Sequence, residues 1–595
     1  MDPVTLAVVR GGFEQIGDEM DLHLIHAAIS PIISETNDCA NGIFHPVTGE
    51  TIAQGRYGLP VFLAYMQFVV QNLIKLVEAE GGFKDGDIWI TNDPYFGGSH
   101  LQDVQLVAPY FVDGKLFALM SNTGHWMDIG GNVPGGWAPK AQEIHQEGLI
   151  IPPVKLYEGG KLNTALVKMF RANVRLPDQI AGDLAAMANV FAVGRRGLDG
   201  LIARYGAATV NACQAEMISR SERQMRSHIA EIPDGVYTCA DSFDNDGIVD
   251  EPIPIRLSVT VNGGAMHLDF TGTAGRTRGP FNISRNTTLS TCYVALKHIF
   301  PDVPINGGTF RPITFTVPDG SMLAAEYPAA VGAYLEPVGR ILDLIFGALS
   351  KAIPDRVPAP FFGTTGPCSV SGVHPRSKSY FVGVFPYPGG YGASKQSDGL
   401  VNGNPPQSMA NFMSLELSEH RFPLRFDYFA LREDSGGAGQ HRGGCGTAYG
   451  FTVWSDTTVS CLGDRADTPP FGIAGGGAAK PNVVEFRTGG KSWRPEFRGK
   501  QEKQLLHKGE GMDLKSPGGG GFGDPLTREI EAVESDLNLG YISRRTAEED
   551  YGVVITGVTR FAGYDRFRLD PAATARRRSQ LRDSGQPSRH KLQEA

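Results

Sequence analysis

At 595 residues the chain is too long for a single growing core, so more than one packed region is expected. Its 41% hydrophobic and 20% charged residues are ordinary for a globular protein, while a net charge of -9 excludes the overall basic field that a nucleic-acid backbone would require. The longest apolar stretch, 58–77, is broken by Pro60, Gln67, Gln71, Asn72 and Lys75, and the N-terminus lacks the order of a secretory signal; a cytoplasmic protein with no membrane span is expected.

In chain order, Leu6, Val9, Phe13, Ile16, Met20 and Leu24 recur at steps of three and four and predict an amphipathic first helix. NGIFHPVTGETIAQG (41–55) alternates around a Pro-Val-Thr-Gly turn and predicts a hairpin leading into a buried helix over 59–79. DIWITND, VQLVAPYF and KLFALMSNTGHW read as strands with polar motifs at their ends. Helical periodicity fills 178–229, with a break near Tyr205-Gly206. Beyond Pro233 the texture changes: strands over 255–261 and 265–270 flank Asn262-Gly263-Gly264, and strand signals run to about residue 500 around helices at 286–299 and 337–353. Glycine clusters at 435–446 and 517–523 predict tight turns. The stretch 527–552 reads as helical and charged, and Asp570-Pro571 opens a terminal helix whose Arg576, Arg577 and Arg578 form a solvated face. The fold class is therefore α+β. It divides into an N-terminal α/β region carrying a metal site (1–232), a β-rich region with inserted helices (233–525) and a helical tail (526–595).

The most informative residues lie in TNDPYFGGSHLQDV (91–104) and SNTGHWMDIGGNVPGG (121–136), each of which holds a His-x-x-Asp pair: His100 with Asp103, and His125 with Asp128. Imidazole with carboxylate suits a divalent ion such as Zn, Mn, Fe or Co. Glycines at 97, 98, 124, 130, 131, 135 and 136 leave room for a ligand. The seven cysteines are scattered, form no CxxC pair and read as reduced thiols, so a closed structural zinc site is disfavoured against an open, catalytic one. One such pair alone is more often a surface hydrogen bond, and it is the recurrence that carries weight. Asp93 reads first as a cap of the Asn92-Asp93-Pro94 turn. Glu143 and His145 are weaker pocket candidates. Gly490-Lys491-Ser492 resembles the end of a phosphate-binding loop, but Glu485 stands where that motif needs glycine, so a strand-turn-strand is preferred. PGGGGFGDP (517–525) has no following lysine and reads as a mobile turn or interface loop.

Taken together, the opening DPVTLAVVRGGFEQIGDEM, TNDPYFGGSHLQDV, GHWMDIGG, EIHQEGLIIPPVKLY, INGGTFRPITFTVPDGS, PLRFDYFALREDSGGAGQHRGGCG and SPGGGGFGDP resemble the hydantoinase B/oxoprolinase family. The resemblance implies a metal held by Asp38, His100, Asp103 and His125, with His100, Asp103 and His125 catalytic and Asp128 orienting a ligand from behind. It also implies an ATP-dependent opening of a cyclic amide, and an actin-like, hydantoinase A-type partner subunit that binds the ATP, since this chain shows no nucleotide motif. A heterotetramer or larger assembly follows from the same resemblance. Ketone carboxylases of the acetone and acetophenone type belong to the same broad family, and a metal-braced scaffold without catalysis is a third reading. The segment DGLVNGNPPQSMANFMSLELSEHRFP (398–423) lacks the histidine-methionine run expected of hydantoinase-like chains, which bears on substrate identity.

Overall fold

The computed structural model describes residues 2–583 except 386, 409 and 562. The first helix, α1 (Pro3–Ala27), starts where the Asp2 carboxylate accepts the Thr5 amide at 2.8 Å and Pro3 occupies the first turn. Its predicted stripe from Leu6 to Leu24 is buried throughout. The expected hairpin is β1 (Cys39–Phe44) with β2 (Thr51–Gln54), and the expected buried helix is α2 (Phe62–Ala79). Three more strands follow, β3 (Ile88–Thr91), β4 (Asp103–Val112) and β5 (Lys115–His125). With β6 (Val154–Glu158) and β7 (Lys161–Leu162) they form a seven-stranded sheet in the order β2-β1-β5-β4-β3-β6-β7, antiparallel at every pairing. Both faces are covered. Leu106 and Met120 pack toward α1, and their neighbours Val107 and Leu119 pack toward α2, as the two-residue period of a strand requires.

The short helix α3 (Thr164–Asn173) has no counterpart among the sequence expectations. Beside α1 lies α4 (Pro177–Tyr205), and α5 (Ala207–Ile229) follows it. They are parted at Gly206, as Tyr205-Gly206 foretold. The change of texture at residue 233 is the start of a four-stranded sheet: β8 (Gly235–Phe243), β9 (Ile253–Asn262), β10 (Ala265–Asp269) and β11 (Ile313–Thr316). With α6 (Arg285–Ile299) and the wholly buried α7 (Leu335–Leu349), it shares a core that also contains α2, so the texture changes at 233 but the core does not.

The β-rich region then closes as two sheets sharing one core. The first contains β12 (Cys368–Val373), β13 (Tyr380–Phe385), β16 (Thr457–Leu462) and β19 (Lys500–Leu506). The second contains β14 (Leu424–Leu431), β15 (Thr447–Val453), β17 (Val483–Thr488), β18 (Lys491–Trp493) and β20 (Gly511–Lys515). Val459 and Leu506 from the first meet Phe451, Phe486 and Met512 from the second in that core. Gly490-Lys491-Ser492 is the turn and start of the β17–β18 hairpin, the strand-turn-strand expected.

The glycine clusters differ from expectation. Ala359 and Phe362 donate to Ala393 and Gly390, Gly390 and Ala393 donate to Pro517 and Gly520, and Gly399 and Asn402 donate to Arg442 and Cys445. Bonds recurring every three residues match the turn of polyproline II, which has no internal hydrogen bonds and must find partners outside itself. Residues 517–522 are thus buried backbone bonded into a lattice of like segments, rather than a mobile turn, and the chain turns only at Gly523, with φ 74°. Side chains cannot enter it: a Cβ on Gly443 would lie 1.9 Å from the Gly519 carbonyl oxygen.

Behind this lattice is a buried charge network. Arg340 of α7 meets Asp241 at 2.9 Å and Asp464 at 2.6 Å; Arg465 meets Asp241 at 2.9 Å and Asp343 at 2.5 Å; Lys500 meets Asp464 at 3.1 Å. The tail has the expected helices, α8 (Ile530–Asn538), α9 (Arg544–Glu549) and α10 (Pro571–Asp583), and between the last two a hairpin, β21 (Ile555–Phe561) and β22 (Tyr564–Leu569). Arg578, expected on a solvated face, is instead buried and donates to the Tyr551 and Arg528 carbonyls at 2.8 and 2.7 Å. Residues 584–595 of the expected tail lie outside the described residues. Among those described, no helix is long and apolar enough to cross a membrane.

Candidate metal centre

The strand register gathers the site. In the β4–β5 ladder Asp103 is paired with His125, the first residue of one strand opposite the last of the other. In the β1–β5 ladder Cys39 is paired with Gly124, which sets Asp38 beside His125, and the His125 amide donates to the Asp38 carbonyl at 3.1 Å. Three neighbouring strands therefore present Asp38, His125 and Asp103 at one end of the sheet, and a one-residue slip would turn them to the other face. His100 arrives from the loop before β4. Asn92 pins that loop, donating to Leu101 and Leu149 at 2.7 and 2.9 Å and accepting from Ile151 at 2.6 Å.

At the centre, Asp103 Oδ1 lies 3.2 Å from His100 Nε2 and 3.0 Å from His125 Nδ1. Its Oδ2 accepts from Ser99 Oγ at 2.5 Å and from the Tyr334 hydroxyl at 3.2 Å. One ligand atom from each of His100, Asp103 and His125 can be chosen so that all lie within 4.8 Å of one another. All three residues are buried. Asp38 keeps 18% of its side-chain surface, with Oδ2 4.0 Å from His125 Nδ1. The imidazoles are held by aromatic rings: His100 lies 4.4 Å from the Tyr334 ring and 5.3 Å from Trp137, and His125 stacks on Trp137 at 6.1 Å.

Burial alone would raise Asp103, but the His100 and His125 imidazoles outweigh it and hold this carboxyl well below the usual carboxylate range. Burial pushes His100 down, so its ring is neutral, whereas Asp38 and Asp103 together overcome burial and hold His125 above its ordinary value. Burial, with some repulsion from Asp103, pushes Asp38 up to about 7 against the attraction of His125. The residues fit a divalent ion. His100 Nδ1 and His125 Nε2 are buried without a hydrogen-bond partner, although such groups are nearly always paired, and His100 Nε2 has only the Asp103 carboxylate at 3.2 Å. The nitrogen and oxygen donors suit a borderline metal.

A cavity of about 50 Å³ opens on this cluster, lined by Asp38, His125, Trp137 and Tyr334 and otherwise mostly by apolar side chains such as Ile32, Leu59, Val61 and Leu335. That volume admits a few waters or the edge of one small ring and excludes a polymer. Ser408, Ala410 and Asn411, from the segment that departs from the hydantoinase-like pattern, line its wall.

Asp128 has a different placement from the one expected. Its carboxylate binds the Arg175 guanidinium at 2.9 Å and the Arg175 and Gly130 amides at 2.7 and 3.2 Å, and among the described residues it makes no bond to an imidazole. It fastens the loop that leads to Trp137, and Gly136 at φ 75° makes the last turn, where a Cβ would collide with the Gln102 carboxamide. Asp93 caps its turn as expected, accepting the Tyr95 amide at 2.8 Å. Glu143 and His145 are exposed and do not line the cavity, and His145 bonds Tyr327 at 2.8 Å. Sequence reasoning missed Trp137, Tyr334 and Asn411. Trp137 follows the glycine run at 135–136 and Asn411 lies in the departing segment 398–423, so both could have been suspected, whereas Tyr334 lies far along the chain with no local signal.

The chain matches the Hydantoinase B/oxoprolinase family over residues 2–525. It is 32% identical to the caprolactamase subunit beta of Pseudomonas jessenii over 597 residues, which cover 96% of this chain and 98% of that one. The crystal structure of the ATP-dependent caprolactamase from Pseudomonas jessenii superposes with a TM-score of 0.88 at 30% identity, covering 97% of this chain and 100% of that one. A nucleotide-free acetone carboxylase superposes with a TM-score of 0.90 at 20% identity, covering 98% and 83%, which is a likeness of fold alone. Matched from residue 2 to 525 and aligned almost end to end with a relative of 32% identity, the chain belongs to the hydantoinase B/oxoprolinase family.

Proposed function

We propose that this chain is the metal-holding, catalytic subunit of an enzyme that opens a cyclic amide with ATP, the nucleotide being bound by a separate actin-like partner subunit. The observation that carries the reading is the buried His100–Asp103–His125 cluster, with unpartnered ring nitrogens, at the end of a small and largely apolar cavity. The likeness to a chain named subunit beta of a caprolactamase supports both the amide substrate and the need for a partner.

Resonance makes an unstrained amide carbonyl a poor electrophile, which is why ATP is needed. His100, Asp103 and His125 would hold the ion, with Asp38 beside them as a fourth donor. A divalent ion there would polarise the amide carbonyl and make water more acidic. The chain's own residues orient and enclose: Asp103 bridges the two imidazoles, Tyr334 and Trp137 clamp His100 against rotation, and the apolar wall keeps bulk water from the ring.

The assembled protein should contain one divalent ion per copy of this chain by elemental analysis. His125→Ala should lose that ion and at least about a hundredfold of ATP-dependent turnover while the complex stays assembled. Dissociation or unfolding of the variant would instead support the bracing role. Assays with caprolactam, hydantoin, 5-oxoproline and acetophenone separate ring opening from ketone carboxylation, which the shared fold leaves as the competing outcome.

A further inference from the structure

The metal cavity is small for its task. Pockets that enclose a small molecule usually hold about 300 Å³ or more, whereas this one has about 50 Å³. A second cavity, of about 230 Å³, lies behind its wall and is lined by Gly58 and Pro60 together with Val294, Lys297 and Ile305. Leu59 and Val61 line the first cavity, so alternate residues of one stretch face the two. That stretch, 55–61, belongs to no strand or helix. Its backbone is fastened at three points: the Gly55 amide donates to the Asn41 carbonyl at 3.1 Å, Leu59 to Cys39 at 2.9 Å, and Val61 to Gln407 at 2.7 Å. Between the first two the fastening comes from α1. Asp21, buried on that helix, accepts the Tyr57 and Gly58 amides through Oδ2 at 3.1 and 3.0 Å, while its Oδ1 takes the Asn41 carboxamide at 2.9 Å. Asp18, nearly one turn earlier, takes the Arg56 amide at 2.8 Å.

We propose that the stretch 55–61 is a movable partition, which yields toward the second cavity as a ring enters, and that Asp21 is the residue positioning it and thereby limiting the ring size accepted. This rests on the cyclic-amide reading above and adds what selects among rings. No strand ladder crosses the partition and the space behind it is open, so Leu59 and Val61 can retreat without displacing a packed layer. Asp21 supplies the resistance. Its carboxylate keeps two amide bonds only while Tyr57 and Gly58 stay against α1, and hydrogen bonds to an ionised acceptor are the stronger kind. It acts on the cavity through Leu59, the next residue along, and touches no substrate itself. The clamp also leaves no room beside it: a Cβ on Gly55 would lie 2.0 Å from Asp21 Oδ2.

The test uses the assembled enzyme with its partner and ATP, on lactams of increasing ring size. Asp21→Ala should shift the ratio of kcat/KM for caprolactam over 2-pyrrolidinone at least about fivefold toward the larger ring, with metal content unchanged. Asp21→Asn keeps an acceptor oxygen for the two amides and should hold that ratio within about twofold of the natural one. Deuterium should enter the Tyr57 and Gly58 amides of Asp21→Ala at least about tenfold faster, a reading that needs no turnover. Should Asp21→Ala fail to fold, Gly55→Ala carries both measurements, because its Cβ pushes the stretch off the same carboxylate. An equal loss on every ring, or exchange at the natural rate, overturns this inference while the ring-opening function stands. Carboxylation of acetophenone with no ring opened overturns both.

Discussion

Asp103 is shared by everything around it: one oxygen faces two imidazoles, and the other takes two hydroxyls. Tyr334 is the more revealing of those hydroxyls, because burial pushes its pKa well above the ordinary phenol value and keeps it a donor. Tyr334→Phe retains the ring against His100 and deletes one bond to Asp103. Metal affinity or kcat should fall about tenfold with the melting temperature nearly unchanged. Unaltered kinetics and metal content would reduce Tyr334 to packing. His100, Asp103 and His125 were legible because paired motifs with glycine around them mark strand ends in the sequence itself. Tyr334 was not, since it meets Asp103 across 231 positions and no local pattern registers that distance. Asp128 was legible as important but was given the wrong neighbour, because its partner, Arg175, comes from beyond the motif.

At the scale of elements, helices announced themselves through apolar stripes and strands through alternation, which is why the β4–β5 hairpin and the break at Gly206 fall where they were expected. The glycine lattice carries neither period, so only its backbone could disclose it. A smaller device links the segment after Ile144 to the turn that precedes α7: Glu147 accepts the Val331 and Gly332 amides at 3.0 and 2.6 Å and so fixes the approach to Tyr334. Burial pushes Glu147 up to about 8, against the lowering effect of those amides. Folded chain therefore keeps a proton that unfolded chain gives up at lower pH. The contribution is whole below the unfolded value near 4.5 and is lost as the pH rises through about 8. Glu147→Gln abolishes this titration, so its melting temperature should decline less than that of the natural chain between pH of about 6 and about 9. Parallel declines would place the titration elsewhere.

At the scale of the whole molecule, a buried charge network ties together elements that lie far apart in the chain. Arg340, Arg465 and Lys500 join β8, α7, β19 and the turn after β16 through Asp241, Asp343 and Asp464. Arg465→Ala leaves the buried Asp343 without its ion-pair partner, while Asp241 keeps Arg340, and should cost about 3–5 kcal/mol, lowering a single calorimetric transition or splitting it in two. A thermogram indistinguishable from the natural chain's would mean that these ions add nothing to cohesion. The glycine lattice has its own outcome for anyone observing the protein in solution. Far-ultraviolet dichroism would score those segments as coil, yet their amides are buried and bonded to distant chain, so deuterium should enter them as slowly as it enters the central strands.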